Sequence, residues 1–221
     1  MRDRFISEIQ MLKERLLALS EAALHALEKA ATALAERSPE IAEEVIAGDI
    51  AIDAEEVAIE EECLRLIALY QPVASDLRFL ITTLKVNNEL ERIADLASSI
   101  AARAMAIATI HPPAGVKIDF KPMIDAAQEM LRGAIDAFVS HRLDLAKVII
   151  LEDDVVDNLN RANLAQIRQA FALDSSAAPY LLDATSISHA LERIADCTTN
   201  ICEDVVYLEK GAIIRHQATV D

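Results

Sequence analysis

The sequence predicts an all-α protein of six long helices arranged as two similar three-helix bundles. Three observations carry this reading. Only 4 Gly and 6 Pro stand among 221 residues, too little turn material for a many-stranded sandwich or barrel. Apolar residues recur at helical spacing nearly end to end, and no stretch alternates convincingly with strand period. A hexapeptide of the first half also returns unchanged in the second.

The helices follow in order. Phe5, Ile9, Leu12, Leu16, Leu19, Ala23, Leu27, Ala30 and Leu34 step by fours and threes, laying one apolar seam along a helix of about nine turns. Ser38-Pro39 stops it and opens the next, Pro39 being suited to a first helical turn. The second helix runs from about Glu40 to Leu69 and ends before Gln71-Pro72. The third runs from about Ser75 to Ile110. The segment His111-Pro112-Pro113-Ala114-Gly115 reads as a linker and divides the chain into a first repeat, 1–112, and a second, 113–221. Met123, Ala127, Met130, Ala134 and Ala137 then mark a fourth helix. A fifth spans about Leu143 to Leu173. After the break at Asp174-Ser175-Ser176, a sixth runs past Pro179 to about Glu209, with Gly211 as its stop.

The repeat is visible in the residues themselves. Leu90-Glu91-Arg92-Ile93-Ala94-Asp95 recurs as Leu191-Glu192-Arg193-Ile194-Ala195-Asp196, at the same place in each helix triplet. So long a unit exceeds a solenoid repeat of roughly 20–50 residues, and a duplicated three-helix bundle fits better.

Composition narrows the function. Lys and Arg number 21 against 37 Asp and Glu, a net charge of −16, which repels a phosphate backbone and excludes nucleic acid as the expected partner. Cys63, Cys197 and Cys202 form no CxxC, and their odd number suits core thiols in a reducing, cytosolic chain. The basic N-terminus lacks an apolar run and is not expected to be a signal peptide. No apolar stretch is long enough to predict a membrane span.

Chemistry concentrates in carboxylates. Glu91 with Asp95 and Glu192 with Asp196 lie one helical turn apart, each pair on one face of a third helix. Each second helix carries a matching pair, Asp49 with Asp53 and Asp153 with Asp157. The separation from second-helix pair to third-helix pair is three residues longer in the first half, a difference for the loop around Gln71–Asp76 to absorb. Like charges at this spacing cost a helix about 0.2–0.5 kcal/mol per pair, and gathering four of them calls for protons or cations. Oxygen donors suit hard cations, namely magnesium, calcium, manganese or iron. Solvated acidic faces are the plain alternative; repetition of the layout in both halves favours a cation site. The Glu-x-x-His mark of carboxylate-bundle oxidases is absent, since His189 precedes Glu192 in the reverse order and serves at most as a peripheral ligand. No GxGxxG, GxxxxGK[ST], HExxH or GxSxG occurs, and no enzyme is predicted.

The run Leu191-Glu192-Arg193-Ile194-Ala195-Asp196-Cys197-Thr198-Thr199-Asn200-Ile201-Cys202-Glu203, followed by Tyr207 and Leu208, resembles the signature of the PhoU phosphate-uptake regulators. The first copy, Leu90 to Ile100 preceded by Asp76-Leu77-Arg78, resembles it as well. The resemblance covers essentially the whole chain. It implies a cytosolic six-helix protein binding multinuclear clusters of iron or zinc on acid-x-x-x-Asp motifs. One site would use Asp49, Asp53, Glu91 and Asp95, the other Asp153, Asp157, Glu192 and Asp196. Asn200 and Glu203 would be auxiliary donors, lost from the first copy where Ser99 and Ala102 stand. Arg78 likewise has no basic counterpart near Pro179.

The resemblance further implies a negative regulator of phosphate-starvation signalling and phosphate uptake. Such a protein couples the phosphate ABC transporter, through its ATPase, to a phosphate-sensing histidine kinase at the cytoplasmic face, by protein contact rather than membrane insertion. A metal-handling carboxylate bundle, ion buffer or oxidase, is the alternative. The apolar helix seam permits a homodimer.

Overall fold

A computed structural model of the chain describes residues 2–110, 112 and 118–213. Apart from Pro112, the expected linker 111–115 lies outside the described residues, so the boundary drawn there finds no structural description. The elements are helices α1 (Arg2–Glu36), α2 (Pro39–Tyr70), α3 (Ala74–Ile107), α4 (Lys121–Val139), α5 (Leu143–Leu173) and α6 (Ala178–Lys210), with a short 3-10 turn at Ser175–Ala177. No strand occurs among the described residues.

The punctuation acts as its chemistry dictates. Ser38 caps α2 by accepting the Ile41 amide at 3.3 Å, and Pro39 occupies the first turn. Gln71 closes α2 in a left-handed conformation, φ +48°, donating its amide to the Ile67 carbonyl, and Pro72 prevents continuation. At the far end Gly211 takes φ +69° and donates to the Tyr207 carbonyl at 2.8 Å, a conformation that a side chain would strain. The three-residue difference does not fall in the connection, which is Gln71–Val73 in the first half and the longer Asp174 with Ser175–Ala177 in the second. It lies in α3, where Glu91 stands farther from the helix start than Glu192 does in α6.

Helices α1, α2 and α3 pack as one bundle and α4, α5 and α6 as another, joined chiefly along α3 and α6. These two helices run antiparallel. Lys85 Nζ meets Asp204 Oδ1 at 2.8 Å, Asn200 donates to Glu89 at 3.3 Å, and Arg103 meets Asp183 at 3.3 Å. That register lays the two copies of the repeated hexapeptide alongside one another. Leu90, Ile93, Leu191 and Ile194 are fully buried there, and Ala94, Ala97, Ala101 and Ala104 let neighbouring backbones approach closely. With 53% hydrophobic but only 4% aromatic residues, the core is an interlocking of alanine and branched aliphatics.

The halves differ in their first helix. α1 has 35 residues and α4 has 19. The excess turns of α1 extend along α2, where Phe5 meets Tyr70 with ring centroids 5.0 Å apart and Arg65 reaches Glu8 at 2.9 Å.

Candidate metal centre

The buried stripe of α2 steps by threes and fours through Ala42, Val45, Ile52, Ile59, Cys63 and Leu66. Two polar residues interrupt this rhythm, Asp49 and Glu56, and both are therefore turned toward α3. From α3, Glu91 and Asp95 face them. Carboxylate oxygens of Asp49, Asp53 and Asp95 lie within 4.8 Å of one another, close enough to share a cation. Burial raises the Asp49 carboxyl above the ordinary range, and the charges of Asp95 and Asp53 raise it further. The Ser98 hydroxyl works against this by donating to Asp49. Glu91 is raised by burial and then by Asp95, Asp53, Glu56 and Asp49. Glu56 is raised by burial, Glu60 and Asp53, and its carboxylate accepts the Asn87 amide at 3.1 Å.

The second half repeats the layout with different neighbours. On α5 the corresponding stripe passes through Ala146, Ile149, Asp153, Val156, Asn160 and Asn163. Asp153 is pushed up to about 6, by burial first and then by Asp196, Asp157, Asp154 and Glu192. Asp196 is raised by burial and Asp157, with Arg193 and Arg92 opposing. Glu192 is raised by burial, Asp196 and Asp157, with His189 and Arg193 opposing. All four acids thus face one another. Asp157, however, is held by Arg161 at 2.7 Å, where the first half has Val57. Among the described residues only Asp49, Asp53 and Asp95 converge as a ready ligand set.

The auxiliary residues fall differently. His189 is exposed at the rim beside Glu192. Asn200 gives its amide to Glu89 of α3, across the joint between the bundles. Glu203 is half-buried, its charge felt with that of Glu152 at the Cys202 thiol. Glu56 and Ser98 were missed by sequence reasoning. Glu56 stands on the same stripe as Asp49, a signal present in the spacing; Ser98 follows Asp95 within a turn and left no comparable mark. Thr199 occupies the place of Ser98 in the second half, with its hydroxyl buried and unpaired.

The cysteines are buried and free, each thiol pushed up to about 12 chiefly by burial. They are core residues and offer no thiolate to a metal or substrate. The donor set is therefore all oxygen. In the first half no cationic side chain acts on Asp49 or Glu91, and a bound cation would supply the missing counter-charge.

Comparison with known proteins completes the description. The model of the PhoU domain matches residues 16–104 and again 120–205, so the two matches fall on the two bundles. The chain is 35% identical over 214 residues to the phosphate-specific transport system accessory protein PhoU homolog of Aquifex aeolicus, covering 97% of this chain and 96% of that protein. It is 33% identical over 214 residues to the phosphate-specific transport system accessory protein PhoU of Escherichia coli, covering 96% and 88%. Its fold superposes on the crystal structure of PhoU from Pseudomonas aeruginosa with a TM-score of 0.90 at 32% identity, covering 94% of this chain and 100% of that one. The phosphate transport system regulatory protein PhoU from Streptococcus pneumoniae gives 0.87 at 32% identity, covering 95% and 98%. Two domain matches, full-length relatives and a shared fold agree: the chain belongs to the PhoU domain family.

Proposed function

We propose that the chain is a non-enzymatic accessory regulator of phosphate transport, restraining uptake and phosphate-starvation signalling when phosphate is plentiful. It would do so by linking the ATPase of a phosphate ABC transporter to a phosphate-sensing histidine kinase at the cytoplasmic face of the membrane. The observation that carries this reading is near-complete coverage, above 30% identity, of relatives named as accessory proteins of phosphate transport. None of the described helices is long and apolar enough to cross a membrane, and an acidic chain gains nothing from anionic lipid, so attachment falls to protein contact.

The acid sets, in this reading, hold metal clusters of iron or zinc, and their oxygen donors also suit magnesium, calcium or manganese. Asp49, Asp53, Glu91 and Asp95, joined by Glu56, would hold the first, and Asp153, Asp157, Glu192 and Asp196 the second. The cations would supply charge that relieves the repulsion between α2 and α3 and between α5 and α6. Each helix pair would thereby stiffen into a defined docking surface.

A binding titration of the metal-loaded chain against the cytosolic portion of the kinase, and separately against the transporter ATPase, tests the proposal. Saturable binding to either, weakened by Glu192→Ala and Asp196→Ala, is the expected result. Absence of binding to both folded partners, with metals present, would overturn the adaptor role and leave ion buffering as the reading.

A further inference from the structure

Helix α2 is apolar on two opposite faces, and only one is used by the fold. The inner face forms the buried stripe described above. On the outer face Ile50, Val57 and Leu64 stand at steps of seven, exposed by 74%, 51% and 54%. Ala47, Ala54 and Ala68, also exposed, fill the intervening positions of the same three-four rhythm, with Glu61 the one polar interruption. Apolar residues sustained on this rhythm for about three heptads are the pattern of a helix that expects another helix.

The duplication supplies an internal control. In the second half the same positions fall on α5, exposed as on α2. There, four of them are Asp154, Asn158, Arg161 and Arg168. The bundle therefore forms without an apolar seam at these positions; α5 exposes Val148, Leu151 and Val155 on a neighbouring line instead. The stripe on the outer face of α2 is thus not demanded by the packing of its own bundle.

Charge selects the occupant. Glu60 lines one flank of the seam, and Glu61 lies within it. Neither forms an ion pair among the described residues. A second copy packed antiparallel on this face would set these same acids against themselves, in a chain already at −16. A helix bearing Lys or Arg beside its own apolar stripe would bury the aliphatics and pair the acids.

We infer that the outer face of α2 is a docking seam for a basic amphipathic helix of another protein. Alanine at alternate seam positions lets that helix approach closely, while Ile50, Val57 and Leu64 enter its holes. The inference goes beyond the metal reading and does not depend on it.

The test uses the full chain in chelator, so that metal content plays no part. The probe is a synthetic helix of about four heptads carrying Leu and Ala along its seam and Lys at the flanking positions. Two controls accompany it: one with the same composition and a scrambled seam, and one with Glu in place of Lys. Fluorescence anisotropy is expected to show saturable one-to-one binding of the Lys helix and at least tenfold weaker binding of both controls. The exposed double substitution Ile50→Lys with Leu64→Lys is expected to weaken binding at least tenfold with an unchanged circular dichroism spectrum. Leu151→Lys on α5 is expected to leave it intact. Equal affinity for the scrambled helix, or indifference to the α2 substitutions, would overturn the inference. A dimer in sedimentation that the α2 substitutions dissociate would overturn it too, assigning the seam to a second copy.

Discussion

Replacing Asp153 by Asn is expected to stabilise the metal-free chain, by an amount set by pH. The Asp153 carboxyl is pushed up to about 6 in the fold, by burial and by Asp196, Asp157, Asp154 and Glu192. Its ordinary value is about 3.9, and at about 1.4 kcal/mol per unit the shift is worth at most about 3 kcal/mol. Its acidic neighbours share the repulsion and relax when it is neutralised, so the expected gain is about 1–2 kcal/mol. The sign follows from linkage. The folded state holds this proton more tightly than the unfolded state, so stability declines as pH rises from about 4 to about 6 and the full cost is present above that window. Asn carries no charge and escapes the cost while keeping the volume. Urea unfolding of both proteins in chelator, at intervals between pH 4.5 and 8, measures the difference. The variant is expected to gain stability at pH 8 and to lose that advantage progressively toward pH 4.5. A variant equally or less stable than the parent at pH 8, or a difference indifferent to pH, would refute the claim that desolvated, mutually repelling carboxylates face one another between α5 and α6.

Other consequences follow from the same geometry. Lys85→Met removes the ammonium that meets Asp204, a side chain only 3% exposed on the joint between α3 and α6. Chemical denaturation is expected to register a loss of about 2–3 kcal/mol, less than the roughly 3–5 kcal/mol of a fully buried pair because Lys85 itself retains some solvent. The double variant with Asp204→Leu is expected to recover much of that loss. Gly48 lies inside α2 with open space where a Cβ would stand. Gly48→Ala is accordingly expected to raise stability by up to about 1 kcal/mol, read as a higher denaturation midpoint. Arg161→Val gives the second half the residue that the first half has at Val57 and releases Asp157. Isothermal titration with a divalent cation is expected to show tighter binding at the second site, and unchanged affinity would discount the arginine as the cause of the difference between halves.

Much of this architecture was legible because one signal dominates it. A helix of the length of α1 repeats its apolar seam often enough that periodicity alone defines it, and Ser38-Pro39, Gln71-Pro72 and Gly211 mark boundaries through backbone chemistry that acts locally. The four acid pairs were legible for a similar reason, since the duplication displays the same spacing twice. What escaped the sequence is long-range. Asn200 could be placed on α6 but not aimed, because its partner Glu89 belongs to the other repeat and is reached only through the antiparallel joint of α3 with α6. Arg161 was visible one turn beyond Asp157, yet whether it closes on that carboxylate depends on side-chain placement. Glu56 was masked by the acidity of α2, where an inward carboxylate looks like any other until the buried residues around it are known.

The central claim, that the paired acids of both halves form cation sites, is tested most directly by metal content at saturation. Equilibrium dialysis against manganese, iron(II) or zinc, followed by elemental analysis, compares the chain with its Asp49→Asn, Asp53→Asn, Asp95→Asn variant. A second variant adds Asp153→Asn and Asp196→Asn. Saturable uptake, reduced by the first variant to the share of the second half and abolished by the second, is the result predicted here. Uptake that is absent from the parent chain, or that survives all five substitutions in a folded protein, would contradict the account.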